Sequence, residues 1–453
     1  MSASKVRDMT QGNITEHLLK FAFPLFIGNL FQQLYNMVDS FVVGNYVGAS
    51  SLAAIGTCGS LNFLFISLSM GLANGVGIIV AQYFGAGDHK GIKSTVTNAY
   101  YLIIGASFLA TTVGFIYAED ILKLMNTPED ILPESTLYLS TTVFGIIFIA
   151  LYNSVASVLR ALGDSKTPLY FLILSSLLNV VLDLLFVLRF DMGVRGAAIA
   201  TIISQAVAAL VSLSYAFIKL PYYRAEKEFW KPHRGIIFHS IKLGVPMALQ
   251  SSMIALSMIV LQGVVNTFGA TVMAVYTISA KVDLIISQLY GAMSFALITF
   301  SGQNYGAGNA ERIKAGFKRG LAIVEIYNAV MIPIVLIFSK SIVNIFVNDP
   351  EVIEIGTTAL RITGIMYLFL GVIYVPRGVL NGVGDAAFSM INGITEVFCR
   401  ILYSNLLTGI ALIGMWGIWW AAGLTWATVS VVCILRYRFG PWRKKIASSG
   451  GSL

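Results

Sequence analysis

A chain of 453 residues that is 57% hydrophobic and only 11% charged lies outside the composition of soluble domains, where charged residues make up about a quarter. Its formal charge of +8 does not point to nucleic acid, because that would need a basic soluble face, and here the charge lies in loops between apolar runs. What remains is a polytopic membrane protein.

The opening MSASKVRDMTQGNITEH is polar and shows no signal-peptide core or small-residue cleavage site. Runs of about 20 or more mostly apolar residues then predict twelve spanning helices, roughly at 18–44, 50–82, 94–117, 133–161, 168–189, 193–219, 240–267, 271–302, 316–339, 355–382, 386–410 and 413–436. An even number places both termini on one side. Most of the 30 lysines and arginines fall in the amino end, the even-numbered loops and the carboxyl end, whereas the odd-numbered loops hold Lys123, Arg189, Arg195 and Lys340. Both termini are therefore expected in the cytoplasm. The longest polar linker, PYYRAEKEFWKPHRG, divides the chain into an expected N-terminal six-helix lobe at 1–220, a cytoplasmic linker at 221–235, a C-terminal six-helix lobe at 236–440 and a flexible tail at 441–453. Cys58, Cys399 and Cys433 sit in apolar segments at no metal-ligand spacing and are expected to be small buried hydrophobes.

The two halves repeat each other. QYFGAGDHKGIK from Gln82 matches QNYGAGNAERIK from Gln303, VLRALGD from Val158 matches VLNGVGD from Val379, and Gly193 and Gly196 match Gly414 and Gly417, always by the same step along the chain. One offset held across polar loops signals duplication. Each half starts after an even number of helices, so the copies run in the same direction and are related by an axis along the membrane normal, a design typical of transporters. The expected fold class is an all-α membrane protein of twelve transmembrane helices in two pseudo-symmetric six-helix bundles. The GAGD, GAGN and LGDSKTP loops are expected to be turns and caps; their lysines and hydroxyls are at the wrong spacing for a phosphate loop.

The duplication breaks at SSLLNVVLDLLFVL, Ser175 to Leu188. Asn179 and Asp183 stand one helical turn apart, on one face and about 6 Å apart along the axis. A carboxylate in so apolar a run costs roughly 2.5 to 3.5 kcal/mol to insert, so it is expected to face inward, towards a partner. Asp39 in LYNMVDSFVVG is a second acid of this kind, and Thr201 in GAAIATIIS a hydroxyl. Asp39, Asn179, Asp183 and Thr201 are expected to form one membrane-embedded cation or proton site. In the second copy, the positions that repeat Asn179, Asp183 and Thr201 hold Arg400, Ser404 and Ala422, and the repeat of helix 1 has no acid.

PLFIGNLFQQLYNMVDSFVVG, LAAIG, GAGD, GAGN, VLRALGDSKTP and LNVVLD together make the chain, over essentially its whole length, resemble the multidrug and toxic compound extrusion (MATE) transporters, in the superfamily that also holds lipid-linked saccharide flippases. Its helix 1 and helix 5 acids resemble the DinF-like and MepA-like branches, not the NorM branch, whose helix 7 acid is missing. The resemblance implies that Asp39, Asn179, Asp183 and Thr201 are the amino-lobe cation site, binding H+ or Na+, and that Gln32, Tyr35, Asn36, Tyr138 and Asn153 line the adjoining substrate cavity. It further implies export of organic cations and other amphipathic drugs against H+ or Na+, no cofactor, and a monomer in a prokaryotic cytoplasmic membrane.

Other intramembrane charges are expected to be structural: Asp283 with nearby Lys281, Glu325 within its bundle, and Glu396 with Arg400 at i and i+4; Arg377 needs an anion. The alternatives are a flippase for a lipid-linked saccharide, which would need a more basic cavity, and an intramembrane enzyme. The latter finds no support: DDxxD, HExxH and GxSxG are absent, and His17, His89, His233 and His239 fall in loops or helix ends.

Overall fold

The computed structural model describes residues 6–46, 49–125, 127–224 and 226–442, and within these the side chains of 35–45, 49–53 and 60 lie outside the described set. Fourteen α-helices follow in order among the described residues: α1 (Ile14–Tyr46), α2 (Ala49–Gly85), α3 (His89–Ile116), α4 (Ala118–Leu124), α5 (Leu132–Thr142), α6 (Ile146–Ala161), α7 (Lys166–Asp183), α8 (Gly193–Lys219), α9 (Arg234–Asn266), α10 (Ala270–Gly306), α11 (Ala310–Asn344), α12 (Pro350–Gly382), α13 (Ala387–Thr408) and α14 (Gly417–Phe439). The fold is all-α, and each of the twelve expected spans has a helical counterpart, the fourth being α5 and α6 joined through a 3₁₀ turn at Val143–Gly145. Among the described residues, ten of the segments are long and apolar enough to cross a membrane. α13 falls short because Asn392, Glu396, Arg400 and Asn405 interrupt its apolar run. At 37 residues, α2 and α10 are about 55 Å long and must project beyond a hydrocarbon core of about 30 Å.

Two compact units divide the chain: unit 1 comprises residues up to Asp8 and Ile27–Ala248, unit 2 comprises Met9–Phe26 and Leu249 onward. The division runs through α1 and α9, each of which gives one part to each unit.

In unit 1, α2 packs on α6 and α3, and α8 on α6 and α7. Close approach depends on small residues: a Cβ on Gly77 of α2 would come within 2.2 Å of Ser157 Oγ on α6, and one on Gly75 within 2.5 Å of the Ser240 carbonyl on α9. The 221–235 linker is strapped along α3. Thr97 Oγ1 and Tyr101 Oη donate to the carbonyls of Phe229 and Trp230, both at 2.6 Å, and the His233 amide donates to Asn98 Oδ1 at 2.7 Å. Lys93 pairs with Glu226 at 2.8 Å, which holds the Glu226 carboxyl below its ordinary range. The three side chains at 93, 97 and 101 lie at i, i+4 and i+8, one stripe of α3.

In unit 2 the most extensive packing is α10 on α12, flanked by α11 and α14. Gly378 and Gly382 of α12 make it close: added Cβ atoms would lie 2.7 Å from the Ser294 carbonyl and 2.5 Å from the Ile298 carbonyl of α10. Gly378 and Ile298 are the repeat counterparts of Ser157 and Gly77, so the α2–α6 pair of unit 1 recurs as α10–α12 in unit 2, where Ile298 is met one turn along, by Gly382.

The turns repeat too. Gly87 and its counterpart Gly308 have φ of 73° and 69°, a left-handed backbone that L side chains resist. The next residue in each turn caps the following helix: Asp88 Oδ1 accepts from the Gly91 amide at 2.9 Å, Asn309 Oδ1 from the Arg312 amide at 3.3 Å. At the next repeated corner the jobs diverge. Asp164 caps α7, its Oδ1 accepting from the amides of Lys166 and Thr167 at 3.0 Å, whereas Asp385 takes both oxygens to the Arg436 guanidinium at 2.8 and 2.9 Å.

Candidate functional site

α7 presents its polar residues to the interior of unit 1, as the cost of exposing them to lipid requires. Asn179 is 2% exposed and Asp183 1%, while Leu177, Val181 and Leu184 of the same segment point outward. Directly after Asp183 the helix widens into a π turn, Leu184–Arg189, in which the Phe190 amide reaches the Leu185 carbonyl at 3.1 Å.

Thr201 comes from α8, which packs on α7. Its hydroxyl donates to the Ala197 carbonyl at 3.0 Å, so its lone pairs are free to accept, and Asn179 Nδ2 points at it from 3.5 Å, a long and weak contact. Asn179 Oδ1 is buried without a hydrogen-bond partner among the described residues. The structure therefore brings Asn179 and Thr201 together, with Asp183 one turn along the same buried face. An amide oxygen, a hydroxyl and a carboxylate are hard oxygen donors, suited to Na+, and the carboxylate alone suits a proton.

The other expected residues distribute differently. Tyr35, Asn36 and Asp39 lie outside the residues whose side chains are described. Gln32 is exposed on α1. Tyr138, 9% exposed on α5, packs in an apolar cluster with Val194 and Ala198 of α8. Asn153 is half-buried on α6 and donates to the Ile149 carbonyl of its own helix at 3.0 Å.

Unit 2 holds a cavity of about 440 Å³ that the sequence did not announce. Its wall includes Tyr276, Lys281 and Asp283 of α10, Tyr374 and Arg377 of α12, Glu396 and Arg400 of α13, and Trp419 and Trp426 of α14. Asp283 does not pair with Lys281: two residues apart on a helix, they face apart, and Asp283 Oδ1 instead accepts from Tyr367 Oη at 2.6 Å. Glu396 and Arg400 do pair, at 3.1 Å and nearly fully buried. Glu325 Oε2 accepts from Asn328 Nδ2 at 3.2 Å, and Asn328 in turn accepts from Tyr290 Oη at 2.5 Å. The signal for the cavity was present only as separate charges and aromatics scattered through the sequence from Tyr276 to Trp426. The three cysteines are buried and free, as expected.

The MatE family model matches twice, at 24–185 and 246–406, once in each copy of the repeat. The chain is 32% identical over 442 residues to the probable multidrug resistance protein YpnP of Bacillus subtilis, covering 97% of this chain and 98% of that one. This chain is a MatE family member. A NorM of Thermotoga maritima, named a probable multidrug resistance protein, is 24% identical, covering 95% of this chain and 94% of that one, and the multidrug export protein MepA of Staphylococcus aureus is 23% identical, covering 89% of each. The solved outward-facing conformation of a multidrug resistance MATE transporter superposes with a TM-score of 0.90 at 22% identity over 99% of both chains, a likeness of fold. The MatE chain is thus a multi-pass membrane transporter and not an enzyme.

Proposed function

We propose that this transporter exports cationic and amphipathic organic compounds, in exchange for H+ or Na+, by alternating access, as a monomer in a plasma membrane with both termini cytoplasmic. The substrate class is supported by the names of its relatives, multidrug resistance and multidrug export proteins. The single observation that carries the ion coupling is the buried face of Asn179 and Asp183 beside Thr201, in one copy of a duplicated scaffold. Asp39 joins this set on the sequence pattern.

The chemistry is competition for negative charge. A proton or Na+ arriving from outside neutralises Asp183, with Asn179 Oδ1 and Thr201 Oγ1 able to complete the coordination of Na+. A cationic substrate needs the same carboxylate ionised. Each ligand therefore lowers the affinity for the other by the same factor, and binding one favours release of the other. The π turn after Asp183 is the element best placed to change shape as that charge is cancelled.

The test is export of ethidium by purified protein in lipid vesicles, with ΔpH and ΔNa+ imposed separately. The reading requires that one gradient drives export and that Asp183→Asn removes the dependence on it. Full gradient-driven export by both Asp183→Asn and Asp39→Asn would overturn it.

A further inference from the structure

We infer that the cavity in unit 2 is a second ligand site, for the anionic head of an amphipathic molecule, with Arg377 as its anchor. The argument begins with a charge inventory of the wall. Three cations line it, Lys281, Arg377 and Arg400, against two carboxylates, Asp283 and Glu396. Both carboxylates are engaged: Glu396 holds Arg400 at 3.1 Å, and Asp283 accepts the Tyr367 hydroxyl at 2.6 Å. Arg377 is left with neither an ion pair nor a hydrogen bond among the described residues; its guanidinium lies over the Tyr374 ring, 4.3 Å from the centroid. Tyr374 and Arg377 stand at i and i+3, so one face of α12 offers ring and cation together.

A guanidinium inside an apolar bundle is costly without an anion, and a π face offsets only part of that cost. The fork of a guanidinium matches a carboxylate, sulfonate or phosphate with two parallel hydrogen bonds. The rest of the cavity suits the apolar part of such a molecule: Trp419 and Trp426 of α14 and Tyr276 of α10 give flat surface that tolerates varied shapes. Trp419 is held in place by donating its Nε1–H to Ser279 Oγ at 3.2 Å. This site takes an anion, so it is separate from the cation chemistry proposed for α7, and it needs no ion gradient.

Equilibrium dialysis of the full chain in phosphatidylcholine nanodiscs, with empty nanodiscs as the blank, tests it using 2-naphthoate and its charge-reversed analogue 2-naphthylmethylammonium. Saturable 2-naphthoate binding is expected, at least tenfold tighter than the cation. Arg377→Gln should weaken it at least tenfold, and Arg377→Lys should retain part of it. Should Arg377→Gln fail to elute as a single species, the wild-type preference between the two probes and the Arg377→Lys titration decide alone. Loss of 2-naphthoate binding when phosphatidylglycerol is added to the nanodiscs would support a lipid phosphate as the occupant, and unchanged binding a soluble amphiphile. Equal affinity for both probes, or 2-naphthoate binding by a well-folded Arg377→Gln protein as tight as wild type, would overturn the proposal. Because only binding is read, failure of the antiport reading leaves this result untouched, and the reverse.

Discussion

α7 and α13 are the same helix twice, and they handle burial in opposite ways. Positions 175, 179 and 183 hold Ser, Asn and Asp; their repeat counterparts are Glu396, Arg400 and Ser404. All of the second set are buried, as are Asn179 and Asp183. α13 closes its charge on itself as an i, i+4 ion pair, whereas α7 keeps a carboxylate one turn from an amide that meets a hydroxyl from α8. Backbone symmetry, with Gly193 and Gly414 at φ of 55° and 53°, thus constrains where a side chain sits and leaves open what chemistry it does.

That contrast is sharpest in function. Asp183→Asn is expected to cut vesicle dye export to the level of empty vesicles, while Ser404→Ala, its repeat partner, should export as wild type; equal loss in both would make α7 an ordinary structural helix. The next largest effect belongs to the ion pair. Removing one member of a buried pair typically costs about 3 to 5 kcal/mol, so Glu396→Gln should lower the thermal unfolding temperature strongly, and Glu396→Leu combined with Arg400→Leu should recover most of the loss. A smaller, matched effect is expected at the turns: Gly87→Ala and Gly308→Ala, where an added Cβ meets no neighbour but the backbone is left-handed, should each cost about 1 kcal/mol, and to the same extent. Unequal losses would show the two corners to be less alike than their angles.

The smallest effect concerns the strap. Glu226 has its folded pKa depressed by the hydrogen bond from Lys93, so the contact is fully present above the ordinary carboxyl value of 4.5 and is lost as pH falls through the lower folded value. Trp230 emission should shift over that acid range and lose the shift in Glu226→Gln; salt should weaken the contact, since both groups meet solvent.

Helix positions, the duplication, the capping loops and the Glu396–Arg400 pair were legible because each rests on short-range spacing or a fixed offset: apolar run length, one repeated step, i and i+4. So was the inward face of Asn179 and Asp183, which follows from the cost of a carboxylate in lipid. Partners set by tertiary packing were not. Asp283 found Tyr367, 84 residues away in sequence. The strap on α3 was likewise hidden, because its hydrogen bonds use the carbonyls of Phe229 and Trp230, which every residue has.

The passage of the unit boundary through α1 and α9 bears on how the protein is made. Unit 1 cannot be complete until residue 248 has left the ribosome, well after the linker that divides the sequence, and unit 2 must recruit Met9–Phe26, made long before its other helices. That early stretch of the nascent chain therefore waits for partners translated much later, and two polypeptides cut at the linker would each lack a piece held by the other.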